Sequence, residues 1–114
     1  MDWETNNMQE LRQLIASKGA PGDYDLPHGL EKLQLTGGAA LSWRSNPVSM
    51  VCFDEGKKKM LFLFVMRNAG VKDAPLTQTP ELAKVSSYLT ASWRSGDKTY
   101  VLVGPDEPEF KNYF

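Results

Sequence analysis

The longest uninterrupted apolar stretch of this chain is Met60–Met66, seven residues with no polar side chain among them. A β-strand presents alternate side chains to opposite faces of its sheet, so a strand over this segment is apolar on both faces. Such strands are found inside sheets that are covered on both sides. The pattern predicts a central strand, with a helix on one side and another layer or a partner on the other. If the second face were open, it would be a binding surface.

The tetrapeptide Ser-Trp-Arg-Ser occurs twice, at 42–45 and at 92–95, and each copy precedes a turn and a second β-rich run. This arrangement predicts two hairpins, since alternating residues bounded by turn formers are typical of paired strands. Together with the apolar segment they give a mainly antiparallel sheet of about five strands within 39–103. The predicted strands cover 40–44, 48–54, 60–66, 85–93 and 98–103.

The N-terminal region carries a helix signal over 7–18. Asn7 is followed three residues later by Glu10, as in a capping box, and apolar residues then recur at helical spacing until Gly19. One or two further helical turns are predicted within 23–35, and the tail 104–114 ends in aromatic residues that could dock on the sheet. The fold class is therefore α+β, with one domain over 1–114 in which the N-terminal helix packs on the sheet.

Composition narrows the function classes. Hydrophobic residues make up 41% of the 114 residues and charged residues 24%, as in ordinary globular domains. The formal net charge of −1 gives no overall positive field, which argues against nucleic acid as a partner. The apolar stretch is far shorter than the roughly 20 residues that span a membrane, and 1–5 has no signal-peptide pattern.

Candidate chemistry at Cys52 and His28 is weak. A thiol nucleophile needs an imidazole base and a group that orients it, and no spacing in the chain indicates that set. Cys52 is interpreted as core filling and His28 as a residue of a turn or helix start. One His and one Cys cannot complete a zinc site, so neither a metal nor another cofactor is expected, and enzymatic activity is not predicted.

Two sets of residues are candidates for binding. Lys57–Lys59 could contact phosphate or acidic lipid. Alternatively, these lysines form a solvated turn whose charges oppose aggregation of the very apolar strand that follows. Arg44 and Arg94 could form an anion site, or could be exposed strand arginines whose stems cover apolar neighbours. The connection 67–81 is long enough to be functional. The candidate binding surface consists of Trp43, Arg44, Trp93, Arg94 and Tyr100.

Several strand segments share a pattern of small, apolar and aromatic residues with one bacterial family. They are 37–43 (Gly-Gly-Ala-Ala-Leu-Ser-Trp), 48–53 (Val-Ser-Met-Val-Cys-Phe), 62–65 (Phe-Leu-Phe-Val), 90–93 (Thr-Ala-Ser-Trp) and 98–102 (Lys-Thr-Tyr-Val-Leu). From the first helix to Val103, the chain resembles the C-terminal extracytoplasmic domain of bacterial transmembrane anti-sigma factors and uncharacterised membrane-anchored regulators. Gly38 and Phe62 stand where that group has a cysteine and a histidine, so a metal, thiol or redox role does not carry over.

The resemblance implies a non-enzymatic regulatory or sensor domain that acts by protein binding, with an unidentified protein partner or a second copy of the chain. It implies a periplasmic location in a parent protein whose membrane helix lies outside this sequence; a cytoplasmic location is the alternative. The alternative function is a small-molecule-binding or hydrolytic domain, with a pocket lined by Trp43, Trp93 and Tyr100 and an anion held by Arg44 or Arg94.

Overall fold

The computed structural model describes residues 2–56, 59–68 and 79–114. The strands are β1 (Trp3–Glu4), β2 (Gln34–Trp43), β3 (Asn46–Asp54), β4 (Met60–Arg67), β5 (Glu81–Val85), β6 (Tyr88–Ser95) and β7 (Lys98–Pro105). The helices are α1 (Met8–Ser17), α2 (His28–Glu31) and the C-terminal 3₁₀ helix (Pro108–Tyr113).

These strands form one antiparallel sheet in the order β1-β2-β3-β4-β7-β6-β5. The α+β class with an antiparallel sheet is therefore confirmed, but the expected five strands are seven. The additional strands are the two edge strands: β1, which has two residues, and β5, where the sequence predicts only the end of the connection 67–81 and the start of the strand 85–93. Edge strands are half-paired and often short, so their sequences carry a weak alternation signal.

Helix α1 starts at the predicted cap. The Oδ1 of Asn7 accepts a hydrogen bond from the Glu10 N–H at 3.1 Å, which satisfies one of the free donors of the first turn. Leu11 and Ile15 lie one turn apart and are fully buried against the sheet. Lys18 closes the helix, and Gly19 follows with a φ of 85°, a left-handed value that glycine adopts at low cost.

The apolar segment is the fourth of the seven strands in sheet order, as its composition predicted. Leu61, Leu63 and Val65 are completely buried and belong to the core formed with α1, α2 and the 3₁₀ helix. Residues Met60, Phe62, Phe64 and Met66 alternate with them and stay partly exposed. The two sides of β4 therefore differ: helices seal one side, and no helix of the described residues covers the other.

The segment between α1 and α2 is tied to the β6–β7 hairpin by a buried lysine. The Nζ of Lys98 lies 2.9 Å from a carboxylate oxygen of Asp97 and 3.2 Å from one of Asp23. Hydrogen bonds from Lys98 lower the pKa of both Asp23 and Asp97, and the bond to Asp97 is the main cause of the raised pKa of Lys98. Nearby, the hydroxyl of Tyr100 accepts a hydrogen bond from the Asp25 N–H at 2.8 Å, so two contacts fix this segment.

Replacing Lys98 with methionine is expected to remove a pH-dependent part of the stability. Aspartates with a lowered folded pKa stabilise above their unfolded pKa of about 4, and this stabilisation is lost as pH falls through the folded pKa. The raised lysine pKa contributes below about 10.5 and is lost as pH rises beyond it. Urea unfolding should show the unchanged chain more stable than Lys98→Met at pH 7, with the gap shrinking towards pH 3. A gap independent of pH would contradict the ion-pair assignment.

Two hairpin turns hold serines in left-handed backbone conformations. Arg44 and Ser45 join β2 to β3 with φ of 51° and 68°, and Ser86 begins the β5–β6 turn with φ of 58°. Two-residue hairpin turns favour positive φ because this backbone conformation matches the twist of the strands. Residues other than glycine adopt a positive φ at a cost of about 1 kcal/mol. Ser86→Gly is therefore expected to stabilise the chain by about 0.5–1 kcal/mol in urea unfolding. The matched change Ser87→Gly, at a neighbour without positive φ, should not stabilise it.

Candidate functional site: the open face of the sheet

The side of the sheet opposite the helices is a broad apolar surface, called here the open face. The strand registers place Leu41 beside Val48, Val48 beside Met66, Phe64 beside Val101 and Phe62 beside Val103. Since directly paired residues of antiparallel strands point to the same side, these side chains form contiguous rows across four strands. The open face consists of Leu41, Trp43, Met50, Phe62, Phe64, Met66, Val101 and Val103, which are exposed or partly exposed, and of Val48, Cys52 and Thr99, which point to the same side and are buried.

A concave cavity of about 650 Å³ lies on the open face. It is lined by Phe64, Met66 and Val101 on β4 and β7, and also by Trp43 on β2 and Glu81 on β5. The lining is mostly aliphatic and aromatic, with the hydroxyls of serine and threonine residues at intervals. Sites that bind apolar groups usually have this composition, a hydrophobic surface with a few polar atoms that fix orientation.

The two copies of the repeated tetrapeptide point their tryptophans to opposite sides of the sheet. Trp43 pairs with Asn46 on the open face and is 44% exposed, whereas Trp93 pairs with Tyr100 on the helix side and is 7% exposed. The Trp93 and Tyr100 rings stack with centroids 5.5 Å apart and planes 5° apart. The ring of Phe114 also stacks on the Trp93 ring, with centroids 6.0 Å apart. Trp93 and Tyr100 are therefore parts of the core.

The arginines of the repeats also differ. Arg44 lies in the β2–β3 turn, and its guanidinium lies 4.8 Å from the centroid of the Trp43 ring, a cation–π contact at the rim of the open face. Arg94 pairs with Thr99 on the open-face side of β6, and its Nε donates to the Gly96 carbonyl at 3.2 Å. The structure thus does not bring the five predicted residues together: Trp43, Arg44 and Arg94 lie on or around the open face, and Trp93 and Tyr100 lie behind it.

Cys52 and His28 lie on different sides of the sheet. Cys52 points to the open-face side between neighbouring strands and is fully buried, and this burial raises the pKa of its thiol, which favours the protonated form at neutral pH. His28 begins α2 on the helix side, where its Nδ1 lies 3.3 Å from a carboxylate oxygen of Glu31. The arrangement does not provide a thiol with an imidazole base. Within residues 2–56, 59–68 and 79–114, no three His, Cys, Asp or Glu side chains group as metal ligands.

The lysine run and the long connection are described only in part. Lys57 and Lys58 and residues 69–78 lie outside the described residues, so the predictions for them stay predictions. Lys59 pairs with Glu107, next to the C-terminal 3₁₀ helix, and this hydrogen bond raises the pKa of the lysine. Lys59 therefore links the start of β4 to the C-terminal segment.

The residues of the open face that sequence reasoning missed are mostly those of β3, β4 and β7, such as Val48, Phe64 and Val101. The signal for them was present in the apolar run, whose second face needs a cover, but no property of the individual residues marks them as binding residues.

Comparison of the chain with protein-family models, with curated proteins and with solved structures found no match. None of the helices among the described residues has the length and apolar composition needed to cross a membrane.

Proposed function

We propose that this protein is a non-enzymatic regulatory or sensor domain that binds a protein partner through the open face. The supporting observation is the asymmetry of β4, where Leu61, Leu63 and Val65 are buried and Phe62, Phe64 and Met66 remain partly exposed. Exposed contiguous apolar surface is costly for a chain in water and typically marks an interaction site. Its removal from water on binding contributes about 25 cal/mol per Å².

The polar rim of the open face can provide specificity. Arg44 lies at one corner over Trp43, Arg94 lies near Thr99, and Glu81 borders the cavity on the β5 side. Interfaces commonly combine an apolar centre with a charged and hydrogen-bonding rim that selects partners and sets orientation. The sequence resemblance supports a partner in the cell envelope and an extracytoplasmic position, with anti-sigma-type regulation as the context.

Site-specific cross-linking tests the protein-binding function. A photo-reactive residue in place of Val101, which lies beside Phe64 on the open face, should trap an envelope protein, while the same residue in place of Gln9, exposed on α1, should not. The trapped protein, once purified, should bind the domain with a Kd that Leu41→Lys raises at least about tenfold, because a charge then enters the apolar contact. Gln9→Lys is the matched control. Equal trapping at both positions, or a Kd that Leu41→Lys leaves unchanged, would rule out the open face as the binding site.

A second candidate, binding of a small apolar molecule, is favoured by the cavity of about 650 Å³, which is within the range that holds such ligands. The aromatic pocket predicted from Trp43, Trp93 and Tyr100 does not exist as one pocket, so the candidate relies on Phe64, Met66 and Val101 instead. Alkyl carboxylates and alkyl amines of graded length should raise the Tm in proportion to saturation, and Leu41→Lys should weaken the effect. No shift with either series would remove this candidate and leave protein binding in place.

A further inference from the structure

Within the part of the chain that the structure describes, the outer edge of β5 is the least protected edge of the sheet. All five residues of Glu81–Val85 are exposed, and among the described residues no strand pairs with their outer side. The opposite edge is blunted, because β1 has two residues and the Asp2 carboxylate accepts the Ala40 N–H beyond it at 3.2 Å. An unpaired edge strand presents backbone donors and acceptors that another strand can match.

The β5–β6 turn determines which backbone groups point outwards. Ser86 and Ser87 form a two-residue turn, and the residues that flank such a turn, here Val85 and Tyr88, exchange both backbone hydrogen bonds. Because these bonds alternate along an antiparallel pair, Ala83 and Glu81 also bond to β6. The N–H and C=O groups of Leu82 and Lys84 therefore face away from the sheet.

The β5 edge also carries apolar surface. Leu82 is 49% exposed and Val85 is 60% exposed, and a hollow of about 250 Å³ beside the strand is lined by Leu82, Leu89 and Phe110. Lysine on an edge strand usually opposes pairing through its charge. Lys84, however, lies 2.8 Å from a carboxylate oxygen of Asp106, which offsets a part of its charge within the chain.

We propose that β5 pairs with β5 of a second copy of this chain, antiparallel about a two-fold axis at Ala83. This register places Leu82 of each copy opposite Lys84 of the other, and these are the residues whose backbone groups face outwards. Both pairs can then form two hydrogen bonds each, and Glu81 lies opposite Val85 of the second copy. Each leucine also contacts the aliphatic part of a lysine whose charge is partly offset by Asp106.

Neighbouring registers are less favourable. An axis at Leu82 would place Lys84 opposite Pro80, which has no N–H to donate. An axis at Lys84 would place the two lysines directly opposite each other, and like charges in that position are destabilising. The pairing about Ala83 joins two seven-stranded sheets into one continuous sheet. It brings the two open faces to the same side. The Leu82–Lys84 pairs lie on the helix side of β5, so the proposal does not rest on what the open face binds.

Sedimentation equilibrium of the full chain, from about 10 µM to about 1 mM, tests the pairing, since an interface this small gives weak association. Leu82→Glu and Leu82→Lys remove the same leucine, but the first places a carboxylate opposite Lys84 and the second places a cation there. By symmetry each pair occurs twice, so Leu82→Glu should have the lower dimer Kd by about threefold to thirtyfold. Thermal unfolding at low concentration shows that both variants fold.

Two outcomes would overturn the proposal. The first is a chain that stays monomeric up to about 1 mM, where a dimer of even marginal stability would be populated. The second is a dimer whose Kd is the same for Leu82→Glu and Leu82→Lys, which would place the contact on another surface. A lower Kd for the glutamate variant, reversed by Lys84→Glu in the same chain, supports the register.

Discussion

Trp93→Ala is expected to lower the free energy of unfolding by about 3–5 kcal/mol, whereas Trp43→Ala should cost only about 1 kcal/mol. Trp93 is buried and stacks on both Tyr100 and Phe114, so its removal leaves a cavity and releases the C-terminal segment. Trp43 loses a partly exposed ring and the contact with Arg44. Both residues occupy the same place in identical tetrapeptides, which makes the pair a matched comparison.

Urea unfolding followed by circular dichroism measures both variants, and the m-value shows whether each stays two-state. Phe114→Ala should reproduce a part of the Trp93→Ala loss, because it removes one of the two stacking partners and leaves the tryptophan in place. Similar losses for Trp93→Ala and Trp43→Ala would show that the two tryptophans do not lie on different sides of the sheet.

Leu63→Ser is expected to be the second severe change, with a loss of about 3–5 kcal/mol or no folded protein. Leu63 is fully buried in the core on the helix side of β4, where a hydroxyl would replace apolar contacts and open a cavity. Phe64→Ser, one residue later, should cost about 1–2 kcal/mol, because its ring lies on the open face and the hydroxyl can be solvated.

Chemical unfolding of the two serine variants, with Leu63→Val and Phe64→Leu as conservative controls, measures the difference between the two sides. If Leu63→Val folds with a small loss and Leu63→Ser does not fold, the failure is due to polarity and not to the position as such. A larger loss at Phe64 than at Leu63 would mean that the helices pack on the opposite side of β4.

The elements that the sequence predicted well are those with a strong local signal. Asn7 and Gly19 bracket α1, and the run of seven apolar residues identifies β4, because neither pattern has a stable alternative in a small α+β domain. The β5–β6 turn has a weak signal, and the sequence predicts one strand over 85–93 where the structure has a turn at Ser86 and Ser87. Ser86 and Ser87 are weak turn formers. The left-handed φ of Ser86 is adopted by a serine, so no glycine in the sequence indicates it.

The candidate site was harder to predict because side-chain direction depends on register. Trp43 and Trp93 have the same residues on either side, yet their rings lie on opposite faces of the sheet. Side chains alternate between the two faces along a strand, so the register with the paired strand decides which face each ring occupies. Tryptophan and arginine are common in binding sites, which makes them natural candidates. The open face, however, is built mainly from residues such as Phe64 and Val101, which are equally typical of a hydrophobic core. Which apolar face stays uncovered is a property of the whole sheet, and single residues do not encode it.

The exposure of the open face can be measured by thiol labelling in a Cys52→Ala background, since Cys52 is the single native cysteine. A cysteine introduced by Phe64→Cys should react with a small uncharged thiol reagent in the folded protein. One introduced by Leu63→Cys should react only through unfolding, at a rate lower by at least about a hundredfold. Equal rates at the two positions would contradict a sheet that is sealed on the helix side and open on the other.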